Sequence, residues 1–136
     1  MKARKGSHSV FSVRLHFVFV THYRRKVITA PMLERLREMV WQVSRKMDCE
    51  LIEFSGEMDH VHILLDFHPK NSISAVAGCL KSSTARVMKK DFSEQVTKFY
   101  KDKVSFWSNS YYVASSGGAP IEKLKEYIKN QDAPKS

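Results

Sequence analysis

Apolar and polar residues alternate most clearly over residues 9–21. Phe11, Val13, Leu15, Phe17 and Phe19 fall on one side there, and Ser12, Arg14 and His16 on the other. A period of two predicts a strand with one buried face. The period then changes. From Pro31, Leu33, Leu36, Val40, Val43 and Met47 recur at helical spacing, which predicts one long amphipathic helix through Met47 with Pro31 in its first turn. Residues 51–55 predict a short strand, residues 56–59 a tight turn, and residues 60–67 a buried strand, so these two strands form a hairpin. Ser72 is a good cap for a second helix whose buried stripe is Ile73, Val76, Leu80 and Val87. Residues 91–103 are mixed and charged and predict no element. Residues 106–114 predict a last strand with an aromatic start. Ser115-Ser116-Gly117-Gly118 is a flexible joint, and Ala119-Pro120 opens a third helix, over 119–132, with Ile121, Leu124 and Ile128 as its packing stripe.

The order is strand–helix–strand–strand–helix–strand with one helix appended. In 136 residues this is a single α+β domain, preceded by a basic tail over residues 1–8. The tail is expected to fray.

Charge narrows the choice of partner. Lys and Arg number 23 against 14 Asp and Glu, a formal net charge of +9. Such a surplus favours a polyanion, with nucleic acid first. No segment has the ~20 consecutive apolar residues that would span a bilayer, and the basic N-terminus lacks the pattern of a signal peptide. The two cysteines, Cys49 and Cys79, form no CxxC pair, which argues against a zinc ribbon or a disulfide scaffold and fits a reducing cytoplasm. The loop His22-Tyr23-Arg24-Arg25-Lys26 combines cations that attract phosphates with a ring that can stack a base. Arg14 on the first strand, and Lys81, Arg86, Lys89 and Lys90 on the second helix among Ser82, Ser83 and Thr84, complete the candidate nucleic-acid surface. A solvated face is the plain alternative for each of these groups.

The candidate chemistry lies in Asp59-His60-Val61-His62-Ile63-Leu64-Leu65. Side chains two apart on a strand share a face, so His60 and His62 stand side by side while Val61, Ile63 and Leu65 point the other way. Two imidazoles so placed can form one edge of a divalent-metal site, or they can be partly buried histidines satisfied by their neighbours. Asp59 suits a turn, with orientation of a histidine or contact with a metal as alternatives. Asp66 shares the histidine face but lies about 13 Å along the strand from His62, too far for the same ion. His16, on the polar face of the first strand, could approach the site, although an ordinary exposed or hydrogen-bonded histidine is the plainer reading. Tyr127 and Gln131 are four apart on the last helix and share a face; Tyr127 is a candidate nucleophile and Gln131 a candidate ligand through its amide oxygen. Tyr111 and Tyr112 are rival nucleophiles, although an aromatic cluster on a strand suits core packing better.

Four stretches occur in a fixed order: the Asp59–Leu65 segment, Phe106-Trp107-Ser108 to Tyr112-Val113-Ala114, Gly117-Gly118, and Tyr127-Ile128-Lys129-Asn130-Gln131. Together they resemble the small single-tyrosine transposases of the insertion-sequence 200/605 family, within the His-hydrophobic-His (HUH) nuclease superfamily. The resemblance runs from about residue 9 to residue 131. It implies a ferredoxin-like or RRM-like antiparallel sheet covered by helices, and a homodimer with sheets joined edge to edge and two composite sites. Carried over by position, it implies His60, His62 and Gln131 as ligands of Mg²⁺ or Mn²⁺ and Tyr127 as the nucleophile. The substrate implied is single-stranded DNA with hairpins at transposon ends, cleaved and rejoined through a 5′-phosphotyrosine. Other readings stay open: a non-catalytic single-stranded nucleic-acid-binding module of the same fold, a domesticated relative acting at chromosomal repeats, and a metal-dependent phosphodiesterase using water.

Overall fold

The computed structural model describes residues 3–5, 10–115 and 121–131. The glycine joint at 117–118 and the opening Ala119-Pro120 of the last helix lie outside the described residues, as do the side chains of Ile121 and Leu124.

A four-stranded antiparallel sheet carries the fold. Its strands are β3 (Arg14–Val20), β4 (Glu50–Gly56), β5 (His60–Asp66) and β6 (Tyr112–Ser115), in the spatial order β4-β5-β3-β6. With α1 (Ala30–Lys46) between β3 and β4, and α2 (Ile73–Asp91) between β5 and β6, this is the ferredoxin-like β-α-β-β-α-β arrangement. β1 (Arg4–Lys5) and β2 (Val10–Phe11) form a separate small ribbon. The strand expected over residues 9–21 is therefore broken, because its first residues turn away to pair with the N-terminus. Nor does the basic start fray at Arg4, whose guanidinium donates to the Asp48 carbonyl at 2.7 Å and to the Asp66 carbonyl at 3.1 Å.

Local signals explain the helix starts. Thr29 accepts from the Met32 amide and Ser72 from the Ala75 amide, each satisfying a donor that the first helical turn would leave bare. The helices bury one face of the sheet: Leu15, Phe17, Phe19, Val61, Ile63 and Leu65 join Met32, Leu36 and Val40 of α1 and Val76, Ala77 and Leu80 of α2 in a single core. Each large side chain removed from water there contributes about 1.5–3 kcal/mol.

Three elements depart from the expected pattern. The buried stripe of α2 runs Val76, Ala77, Leu80, Thr84 and Met88, while Ile73 is 38% exposed and Val87 only partly buried. Thr84 is not on a solvated face. Its hydroxyl donates to the Leu80 carbonyl at 2.6 Å and accepts from the Trp107 indole at 2.9 Å, so a polar side chain sits in the core with both needs met. A short helix α3 (Ser93–Thr97) forms where no element was expected, held by buried Val96. The last strand is shorter than its aromatic run. Phe106 and Trp107 are buried, Trp107 bridges to Thr21, and regular pairing resumes only at Tyr112. Residues 108–111 thus become a connecting segment rather than strand. α4 (Ile121–Lys129) closes the chain.

Candidate active site

The sheet face away from α1 and α2 carries the histidines. Residues directly opposite in an antiparallel pair share a face. Val18 stands opposite His62 on one side and Tyr112 on the other, and His16 stands opposite Leu64. His16, Val18, Tyr112, His60 and His62 therefore lie on one face.

His60 and His62 meet edge to face, with ring centroids 4.9 Å apart. Each has its Nδ1 engaged by a different neighbour. His60 Nδ1 is 2.8 Å from Asp59 Oδ1. A carboxylate only accepts, so Nδ1 of His60 donates, and Nε2 is the nitrogen turned away from Asp59. His62 Nδ1 is 3.1 Å from His16 Nε2, with the two rings nearly parallel at 27°. Burial pushes the His62 imidazole down to about 4, and the nearby His60 and His16 add to the shift. Burial also lowers His16. His62 is thus neutral near pH 7, the form that can ligate a metal. Glu57 adds a carboxylate: one ligand atom from each of Glu57, Asp59 and His60 lies within 4.8 Å of the others. Two imidazoles with occupied Nδ1 atoms and acidic neighbours are a donor set that fits a hard or borderline divalent ion.

Asp59 thus does more than shape a turn. It holds His60, and its second oxygen lies 3.8 Å from Arg24 Nε. His16 is not a bystander either, since it touches His62 directly. The alternation in the sequence puts His16 on the polar side of its strand, but only strand pairing across 46 residues brings it to His62.

Tyr127 and Gln131 lie on the same side of the sheet as the histidines. Tyr127 packs its ring against Tyr112 at 5.6 Å, and Tyr112 is two strand spacings, about 10 Å, from His62 across β3. The Tyr127 hydroxyl is 3.0 Å from Ser110 Oγ. Gln131 Oε1 accepts from Ser108 Oγ at 2.6 Å and from Ser110 Oγ at 3.3 Å. Among the described residues, no hydrogen bond or ring contact joins this pair to the histidines of the same chain. Burial raises the Tyr127 phenol above its ordinary value, partly offset by the Ser110 bond.

The basic residues divide into three groups. Arg24, Arg25 and Lys26 leave the short turn at His22–Arg24 beside Asp59, where Tyr23 and Arg24 both adopt left-handed backbone angles, φ 57° and 51°. Arg14 lies on the histidine face opposite Asp66, and its Nε is buried without a partner among the described residues. On α2, Arg86 and Lys90 are exposed, but Lys81 donates to the Ser108 carbonyl at 2.6 Å and Lys89 to the Val104 carbonyl at 2.6 Å. Those two ammonium groups are spent on the fold.

One antiparallel sheet carries a pair of imidazoles on one face, and the helix bearing Tyr127 packs over that same face. A family model described as "Transposase IS200 like" matches residues 9–131. The chain belongs to this IS200-like transposase family. It is 27% identical over 125 residues to the transposase for insertion sequence element IS200 of Salmonella typhimurium, spanning 92% of this chain and 80% of that protein. The corresponding Salmonella typhi protein matches equally. A crystal structure of a candidate transposase from Deinococcus radiodurans R1 superposes with a TM-score of 0.86 at 25% identity, covering 96% of this chain and 99% of that one. A REP-associated tyrosine transposase bound to a REP hairpin shares the fold at a TM-score of 0.55 and 11% identity, over 93% of this chain and 68% of that one. No helix among the described residues is long and apolar enough to cross a membrane.

Proposed function

We propose that this transposase cleaves and rejoins single-stranded DNA at transposon ends, with Tyr127 as nucleophile and His60, His62 and Gln131 as ligands of one Mg²⁺ or Mn²⁺ ion. The observation that carries the reading is the histidine pair itself: both Nδ1 atoms are occupied, which leaves two Nε2 atoms on one sheet face. A bound divalent ion would polarise the scissile phosphate and stabilise the charge that grows on it.

The chain's own residues do the rest. Tyr127 Oη attacks phosphorus in line, the bond to the 3′ oxygen breaks, and the leaving 3′ oxygen takes up a proton. A 5′-phosphotyrosine remains. Because its ester energy is retained, a second 3′-hydroxyl can displace the tyrosine and seal a new junction without ATP. The phenol must lose its proton at attack, and burial makes that harder, so an acceptor is required when Tyr127 leaves Ser110 for the phosphate. Arg14, Arg24, Arg25, Lys26, Arg86 and Lys90 supply charge along the DNA backbone, with Lys81 and Lys89 contributing to the local field from within the fold.

The partner proposed is DNA with hairpins at the transposon ends, and the assembly proposed is a homodimer joined sheet edge to sheet edge in the cytoplasm. The separation of the two half-sites supports a dimer. In one chain the Tyr127 hydroxyl is tied to Ser110, and its ring sits on Tyr112, about 10 Å from His62. A composite site, with the tyrosine of one subunit serving the histidines of the other, would close that distance.

The test uses labelled single strands from the DNA flanking the gene, incubated with protein and Mg²⁺ or Mn²⁺ and run on a denaturing gel. A covalent protein–DNA band is expected on single strands only, lost with chelator and with Tyr127→Phe. Strands that bind, with no adduct under any metal condition and no effect of Tyr127→Phe, would instead make the protein a binding module. Mixing His62→Ala with Tyr127→Phe subunits tests the composite site: activity returns if the site forms in trans.

A further inference from the structure

We propose that His16 is a positioning residue that holds His62 in the one tautomer able to ligate a metal through Nε2. The proposal rests on the metal-binding reading above and deepens it.

The argument is one of proton counting. His16 Nε2 and His62 Nδ1 are 3.1 Å apart, so a single proton lies between them. Two arrangements are possible for neutral rings. If His16 donates, His62 Nδ1 uses its lone pair to accept and its own proton sits on Nε2, which then has nothing to offer a cation. If His62 donates from Nδ1, its Nε2 lone pair is free, and His16 carries its proton on Nδ1. Only the second arrangement makes His62 a ligand.

His60 obtains the same result by a different route. Its Nδ1 faces Asp59 Oδ1 at 2.8 Å, an acceptor with no alternative role. The site therefore holds two ligands oriented by two unlike acceptors, a carboxylate for one and an imidazole for the other. Histidine ligands are regularly fixed this way by the group on their second nitrogen.

Strand geometry makes the contact stiff. His16 stands opposite Leu64, two residues along from His62, so the pair is a diagonal cross-strand contact on one face. The rings lie at 27° with centroids 5.2 Å apart. Turning the His62 ring over would put Cδ2 in place of Nδ1 and break the hydrogen bond. His16 has no part in the bond-making steps; it acts on the site through His62.

Two measurements test the role. Long-range ¹H–¹⁵N correlation spectra of the metal-free protein read the tautomers directly. Wild type is expected to show His62 protonated on Nδ1 and His16 on Nδ1; a wild-type His62 protonated on Nε2 would overturn the proposal outright. Titration with Mn²⁺, followed by water-proton relaxation, should show binding weakened about 10- to 100-fold in His16→Ala. His16→Gln, whose amide oxygen can accept from His62, should recover most of that loss. Equal Mn²⁺ affinity in wild type and a folded His16→Ala also overturns it. If His16→Ala does not fold, the wild-type tautomers and His16→Gln decide the question. Should wild type neither bind Mn²⁺ nor form a DNA adduct, the functional reading fails, while the spectra still report whether His16 sets the His62 proton.

Discussion

Lys81 of α2 donates its ammonium to the Ser108 carbonyl at 2.6 Å and reaches the Ser110 carbonyl at 3.4 Å. The side chains of the same two serines hold Gln131 and Tyr127. One half-buried cation thus braces the segment on which Tyr127 of α4 and Gln131, just beyond its end, both rest. Burial lowers the Lys81 ammonium from its ordinary value, a sign of how far it has left water for these carbonyls. Lys81→Met should destabilise the protein by about 1–2 kcal/mol, since hydrogen bonds to charged groups are worth more than neutral ones and partial exposure trims the value. Urea unfolding measures this. The salt dependence of single-strand binding separates bracing from phosphate contact. Arg86→Ala should make the slope of log K against log salt shallower by about 0.7, and Lys81→Met should leave it unchanged. A shallower slope for Lys81→Met with no loss of stability would place the ammonium on the DNA.

Gly56 ends β4 immediately before the turn into the histidine strand. A Cβ there would lie 2.8 Å from the His60 carbonyl oxygen and 2.9 Å from both Leu33 Cδ1 and Val61 Cγ1. The carbonyl is backbone and cannot swing aside. Gly56→Ala should therefore cost about 1–3 kcal/mol, as overpacking does elsewhere. Because the strain falls on His60, Mn²⁺ affinity should drop with it. A Gly56→Ala protein with unchanged urea midpoint would show that the hairpin relaxes freely.

Tyr100 donates to the His22 carbonyl at 2.6 Å, and burial pushes its phenol up to about 12. The unfolded chain releases this proton near pH 10 and the folded one near 12. Between those values the unfolded state binds fewer protons, so stability falls as pH rises through that window. Tyr100→Phe should be less stable at neutral pH, through loss of the bond to His22, and should show a shallower alkaline decline. Urea midpoints at several pH values from 9 upward check both. Parallel declines in the two proteins would remove Tyr100 as a cause.

Lys103 is exposed and sits at φ 73°, a left-handed backbone angle that costs a residue with a Cβ about 1–2 kcal/mol. Lys103→Gly should raise stability by about 0.5–1 kcal/mol after allowing for the larger entropy glycine loses on folding. Thermal unfolding reads the change, and a lowered Tm would mean the lysine side chain makes a contact worth more than the strain.

Much of the fold was legible along the chain. The period-two run at Leu15, Phe17 and Phe19 and the helical spacing of Leu36 and Val40 mark β3 and α1, because each period expresses which side of one element meets the core. The same local rule puts His60 and His62 side by side. It failed at Phe106 and Trp107, whose aromatic character reads as strand. Their burial against Tyr100 and Phe19 anchors a connecting segment instead. It failed again at Thr84 and Lys81, which look like surface residues until Trp107 and Ser108 come to meet them from more than twenty positions away.

The sequence by itself determined the order of β3, α1, β4, β5, α2 and β6 and the shared face of the histidine pair, since both follow from backbone periodicity within a few residues; the last helix, read through residue 132, ends at Lys129 and leaves Gln131 in the turn beyond it. Only the tertiary structure decided that β3 lies between β5 and β6. From that one choice of neighbours come the contact of His16 with His62 and the position of Tyr112, and with it Tyr127, two strands away. Strand pairing depends on how distant segments bury their faces together, and no local pattern encodes which strand will lie beside which.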